Sequence, residues 1–248
     1  MARGIRSKRP SLRAIFFDVD DTLFSTSDFA AIARRNSIEA MVRYGLKAEP
    51  EVILKELQEV VQEFSSNHEH HFEKLLSRID PRAYAGTNPA ILVAAAVVAY
   101  HETKFRQLHP YNDVLEVLGL IARADLVRGV ITAGVTVKQA EKLVRLNVYP
   151  YLTPTAIFIS DQIGIGKPNP KLYLRACQSV GVDPREAVYV GDNPAHDIDP
   201  ANSIGMITIL NRRSPKIAIA PGQTSPTHEI YDFWDLLKVL RETYRVQV

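Results

Sequence analysis

The chain has 248 residues, 46% hydrophobic and 23% charged, a globular mix long enough for one large domain or two modest ones. Its formal net charge of +2 argues against a nucleic-acid-binding surface, which would carry a strongly basic face. The single cysteine, Cys177, excludes an internal disulfide and fits a reducing, cytoplasmic setting, and the basic opening MARGIRSKRP lacks the apolar run of a signal peptide.

Residues 12–17, LRAIFF, are predicted to form a strand that is apolar on both faces. From about residue 28 to 108 the spacing is helical: FAAIARRNSIEAMVRYG ending at Gly45, EPEVILKELQEVVQEF with Pro50 near its start, HFEKLLSRI, and a long segment running through the 90s to AYHETKFRQL. The longest apolar run, AILVAAAVVA at 90–99, is half the roughly 20 residues a membrane helix needs, so it reads as a buried helix and no membrane partner is expected. After Pro110 the pattern alternates. YNDVLEVLGLIARA is a helix and LVRGVIT (126–132) a strand; VTVKQAEKLVRLN is a helix and AIFIS (156–160) a strand. NPKLYLRACQSVG is a helix and EAVYVG (186–191) a strand, followed by a short helix near 195–204 and a strand at MITIL (206–210). Residues 214–228 read as a surface loop, and EIYDFWDLLKVLRETY as a closing helix.

A strand, a helical insert and then alternating strands and helices predict an α/β fold. Its core is a doubly wound parallel sheet, residues 1–24 and 110–248, with an α-helical insert at 25–109. In such sheets ligands sit at the carboxyl ends of the strands. The first strand ends in FDVDDT, where Asp18 and Asp20, two apart on extended backbone, face the same side. Two carboxylates there repel each other unless a cation or a shared proton intervenes, and carboxylate oxygens suit Mg2+. LVRGVIT ends in Thr132, followed by Ala133 and Gly134, a hydroxyl with backbone N–H groups that suits an anion. The loop after AIFIS carries Lys167, stiffened by Pro168 and Pro170; EAVYVG ends in Asp192, with Asp197 five residues on. This set binds a magnesium ion and a phosphate together.

The four segments FDVDDT, VITAG, GKPNP and GDNPAHD resemble, in order, the four motifs of the haloacid dehalogenase (HAD) superfamily. The resemblance spans roughly residues 12–24 and 110–245, and the helical insert is similar to that family's C1-type cap on a Rossmann-like core. It implies a phosphatase that forms an aspartyl-phosphate on Asp18, with Asp20 as general acid and base and its carbonyl facing the metal. Thr132 and the Ala133 N–H would bind phosphate, Lys167 would neutralise nucleophile and phosphoryl oxygens, and Asp192 would ligate Mg2+. Asp197 would serve the metal from a second shell or through water. An acid at position 20 separates the chain from true dehalogenases of this superfamily, which lack one and need no metal. Among capped members the whole chain resembles hydrolases of the phosphoglycolate or glyceraldehyde-3-phosphate phosphatase kind. The implied partner is a small phosphorylated metabolite, and the oligomeric state is not assigned. A phosphomutase, a metal-independent 2-haloacid dehalogenase and a silent phosphate-binding protein are the alternative readings.

Other residues read as structural. Asp21 points away from Asp18 and serves the loop, and Thr22 hydrogen-bonds within the turn. The HEHH cluster, residues 68–71, and Arg34 and Arg35 read as solvated faces, while Tyr100, His101 and Arg106 are placed near substrate only by their position late in the insert.

Overall fold

A computed structural model describes residues 11–65, 68–213 and 221–248. The basic opening segment 1–10 and residues 214–220 of the proline-rich loop lie outside the described residues. In chain order the elements are β1 (Ala14–Phe17), α1 (Thr26–Arg43), α2 (Pro50–Phe64), α3 (His71–Leu76), α4 (Pro89–Gln107), α5 (Val114–Ile121), β2 (Val127–Thr132), α6 (Thr136–Arg145) and β3 (Ile157–Ile159). They continue with α7 (Ser160–Ile163), α8 (Pro170–Ser179), β4 (Ala187–Gly191), α9 (Asp199–Ser203), β5 (Ile207–Asn211), β6 (His228–Ile230) and α10 (Phe233–Lys238). They form two compact units: the segment up to Ser25 together with His109–Val248, and Thr26–Leu108.

The first unit is built on a six-stranded sheet in the order β3-β2-β1-β4-β5-β6, with every pairing parallel. A parallel sheet covered on both faces needs strands that are apolar on both faces, and all four residues of β1 are fully buried. Phe16 meets Phe158 edge to face at 6.1 Å in a cluster that includes Leu172, Tyr173 and Cys177 of α8. Its neighbour Phe17 points to the opposite face and stacks on Phe233 of α10 at 5.8 Å. The chain leaves β1 toward β2 and β3 on one side, then returns to lay β4, β5 and β6 on the other. The strand order therefore reverses between β1 and β4, the place where an open α/β sheet forms its ligand crevice.

The second unit is helical, with a core formed by Ile38, Met41, Leu46, Ile53, Leu57, Leu75, Leu76, Leu92 and Ala96. The one hydrogen of the Ser37 hydroxyl on α1 is shared between the Ala33 and Ala96 carbonyls, and Asn36 donates to the Thr103 hydroxyl, so α1 and α4 are joined by hydrogen bonds as well as packing. Pro50 and Pro89 occupy first-turn positions, where their missing N–H costs nothing, and the Asn88 side chain accepts from the Ala90 N–H to cap α4.

Three expectations are corrected here. The run at 90–99 is helical, but only one side is buried: Leu92, Ala95 and Ala96 are inside while Ile91, Val97 and Val98 are exposed, because the small helical unit covers one face of α4. The closing helix does not begin at Glu229. His228–Ile230 instead pair with β5 as a sixth strand, and α10 starts at Phe233, where Asp232 caps it by accepting from the Asp235 N–H. Only three residues pair, too few for a periodic signal, so β6 is invisible to a reading of apolar spacing. Thr22 does not hydrogen-bond within its turn: its buried hydroxyl has no partner among the described residues. The backbone closes that turn without it, through Leu23 N–H to the Val19 carbonyl at 3.0 Å and a left-handed Asp21 at φ 56°. No helix of the described residues is long and apolar enough to cross a membrane.

Candidate active site

The carboxyl edge of the sheet around β1 and β4 gathers residues from four strand ends. Asp18 follows β1, and its N–H extends the ladder by donating to the Val190 carbonyl of β4 at 2.8 Å. Asp192 follows β4. Asp197 lies on a π-helical turn, Pro194–Ile198, which Asn193 caps by accepting from the N–H groups of Ala195 and His196. Turns of this kind aim side chains that a regular α-helix would point elsewhere. Asp18, Asp192 and Asp197 are 7%, 8% and 1% exposed, and one carboxylate oxygen from each lies within 4.8 Å of the others.

Lys167 enters this group from the loop between α7 and α8. Its ammonium donates to Asp18 Oδ1 at 2.6 Å, Asp197 Oδ1 at 2.7 Å and the Tyr189 hydroxyl at 2.7 Å, using all three of its donors. Burial pushes the Asp18 carboxyl up, to about 7, against the pull of Lys167. Burial also opposes the charge on Lys167, but Asp18 and Asp197 outweigh it and hold the ammonium well above the usual lysine range. Burial, aided by Asp197, keeps the Tyr189 phenol protonated, and it donates to the Ile131 carbonyl at 3.0 Å.

Three carboxylates gather around one ammonium in a largely buried site, an arrangement that a divalent cation would stabilise. An all-oxygen donor set suits Mg2+, so the residues fit that ion. Asp197 is engaged at both oxygens: Oδ1 accepts from Lys167 and lies 3.2 Å from the Tyr189 hydroxyl, whose one hydrogen it shares with the Ile131 carbonyl, and Oδ2 accepts from the Asn193 N–H at 3.0 Å. It reaches this position because Gly191 has no side chain; a Cβ there would lie 2.6 Å from the Asp197 carboxyl carbon.

Asp20 has separate partners. Lys142 of α6 donates to both its oxygens, at 2.6 and 2.7 Å, and Gln139 donates to Oδ2 at 3.0 Å. The repulsion expected between Asp18 and Asp20 is thus met by two lysines, one for each acid. The loop after β2 adjoins Gln139: the buried Thr132 hydroxyl donates to Gln139 Oε1 at 3.4 Å, and the Ala133 carbonyl accepts from Nε2 at 2.9 Å. The Gly134 N–H, expected to be open to an anion, instead donates to the Ser160 hydroxyl at 3.0 Å, because α7 begins directly beyond the neighbouring strand.

The structure therefore brings Asp18, Lys167, Asp192 and Asp197 into one cluster and Asp20, Thr132 and Ala133 into an adjoining one. Tyr189, Gln139 and Lys142 escaped the sequence reading. Gln139 and Lys142 share a face of α6 at a spacing of three, but their partner Asp20 lies 119 and 122 residues away. In the helical unit Arg35 pairs with Glu51 at 2.6 Å, Tyr100 packs edge-on against Phe29, and Arg106 lies 3.9 Å from Glu102. His68 stacks on Phe64, and His70 bonds Glu73.

Residues 12–205 match the family model of the haloacid dehalogenase-like hydrolases. The chain belongs to that family. It is 45% identical over 236 residues to a glyceraldehyde 3-phosphate phosphatase of Methanopyrus kandleri, covering 93% of this chain and 98% of the relative. It is 41% identical over 198 residues to a protein of the same name from Pyrococcus abyssi, covering 80% of each. The crystal structure of a HAD phosphatase from Thermococcus onnurineus superposes with a TM-score of 0.65 at 22% identity, covering 92% of this chain and 98% of that one, which shows the shared fold. Within the haloacid dehalogenase-like hydrolases the chain is a phosphatase, an enzyme that hydrolyses phosphoric monoesters.

Proposed function

We propose that the chain is a Mg2+-dependent phosphatase acting on a small phosphorylated metabolite through an aspartyl-phosphate on Asp18. The observation that carries this reading is the buried Asp18–Lys167 pair at the strand-order reversal, with Asp192 and Asp197 beside it. Glyceraldehyde 3-phosphate is the proposed substrate, on the strength of the names of the two relatives.

The chemistry follows from the positions. An Asp18 oxygen attacks phosphorus and the bond from phosphorus to the ester oxygen breaks. Asp20 gives that oxygen its proton, so an alcohol leaves. A water then attacks the acyl phosphate, its proton passes to Asp20, the bond from phosphorus to the Asp18 oxygen breaks, and inorganic phosphate departs. Lys167, already on Asp18, offsets charge on the phosphoryl oxygens, and Thr132 with the Ala133 N–H is proposed to hold them. Asp18, the Asp20 carbonyl and Asp192 would hold Mg2+, with Asp197 acting through water because both its oxygens are engaged. When bound, the ion would neutralise phosphate charge that a single lysine leaves unbalanced. The core at 1–24 and 110–248 is proposed as the catalytic domain, and the helical insert as the cap that gives specificity. A cytoplasmic setting is part of the same proposal.

Phosphate release from a panel of small phosphate esters, with Mg2+ and with chelator, tests the reading. The expected result is metal-dependent release, fastest for three-carbon phosphates. Undiminished release in chelator would overturn the metal role, and a preference for a large or aromatic ester would overturn the substrate assignment.

A further inference from the structure

Asp20 sits on a turn, not on a regular element, and its side chain is 29% exposed. A short acid in that setting has rotamer freedom that a general acid must lose before it can aim at one oxygen atom. We propose that Gln139 and Lys142 of α6 are the positioning residues for Asp20. The proposal rests on the acid–base role given to Asp20 above.

Lys142 spans both Asp20 oxygens, at 2.6 and 2.7 Å, and so fixes the plane of the carboxyl group. Its own ammonium lies over the Phe24 ring at 5.8 Å, and Phe24 bridges back to Asp20 through the backbone. Gln139 is 4% exposed, and its amide can face only one way. Its oxygen meets the Thr132 hydroxyl, while its nitrogen donates to both the Ala133 carbonyl and Asp20 Oδ2. Flipping the amide would set an oxygen against a carbonyl and a carboxylate. Gly134, at φ 139°, leaves space for this side chain, since a Cβ there would lie 2.7 Å from Nε2. Gln139 thus ties Asp20 to the loop proposed to hold the phosphate. The distance between the acid and the phosphoryl group is then set by α6, not by a turn.

A residue that aims a general acid matters in proportion to how much the leaving oxygen needs a proton. A nitrophenolate leaves without one; an alkoxide does not. The test uses the full chain with Mg2+, on glyceraldehyde 3-phosphate and on para-nitrophenyl phosphate. Lys142→Met is expected to lower kcat on the alkyl ester about 30-fold, within the range general acids contribute, with KM changed less than about twofold. On the aryl ester the loss stays below about threefold, and Lys142→Arg restores most of the alkyl activity. In an Asp20→Asn background, Lys142→Met adds less than about a twofold further loss, since residues acting through one group are not additive. Gln139→Leu, checked for unchanged melting temperature, is expected to show the same leaving-group dependence. Equal losses on both esters, or full additivity with Asp20→Asn, would overturn the positioning role. Full activity of Asp20→Asn itself would instead overturn the acid–base reading beneath it.

Discussion

The Lys167 ammonium lies 2.6 Å from the Asp18 carboxylate, and the two side chains are only 5% and 9% exposed. A buried pair of this kind is costly to break from one side, because the remaining charge has no water to turn to. The two partners are therefore expected to behave differently on substitution.

Asp18→Asn removes one of three clustered acids and leaves Lys167 paired with Asp197. Turnover is expected to fall by at least about 10³-fold, as when a nucleophile is removed, while the melting temperature stays the same or rises. Steady-state assays beside a thermal melt check both; near-wild-type turnover would sink the covalent route.

Lys167→Met leaves Asp18 and Asp197 facing each other without their cation. A destabilisation of about 3–5 kcal/mol is expected in chelator, or roughly 10 °C in melting temperature for a chain of this size. Added Mg2+ is expected to restore more stability to this variant than to the wild type. An equal response of the two proteins to the metal would show that the carboxylates do not hold it.

Gly191→Ala places a methyl group where the Asp197 carboxyl lies. Overpacking of this kind costs about 1–3 kcal/mol, and here it also pushes Asp197 off Lys167. A folded protein with at least about tenfold lower kcat is expected; unchanged kinetics would mean that Asp197 has no part in the reaction.

Asp113 supports the opposite face of the sheet. It accepts from both guanidinium nitrogens of Arg213, at 2.6 and 2.5 Å, and from the Phe233 N–H at 2.6 Å. Burial pushes this carboxyl up, but Arg213 and the Phe233 N–H outweigh it and hold it below the ordinary carboxylate value. A depressed folded-state pKa stabilises the fold above the unfolded value and loses that contribution as pH falls through the folded one. Asp113→Asn is expected to cost about 1–3 kcal/mol at pH 7 and much less near pH 3. Urea melts at the two pH values measure the difference; a cost independent of pH would mean that the charge is immaterial.

Much of this architecture is legible in the chain itself. The strands β1 to β5 are apolar runs bounded by turn residues, and the helices between them carry 3.6-residue periodicity. Both signals are local, so the strand ends fall within two residues of the structure and most helix ends within about three. The acids stand out because they close apolar runs, and a parallel sheet sends those ends to one edge. Where the signal is short or the partner distant, the reading stops. β6 has three residues and no period of its own; it exists because β5 offers an edge to pair with. The π turn that aims Asp197 depends on space left by Gly191.

The sequence by itself determined that acids, a hydroxyl and a lysine would meet at one end of a parallel sheet, because strand polarity and strand order follow from local patterning and connection rules. Only the tertiary structure decided which cation each acid receives. Asp18 takes Lys167 from 149 residues away, and Asp20 takes Lys142 from 122. Pairings over such separations are set by strand register and by the rotation of each helix on the sheet, and no local run of residues encodes either.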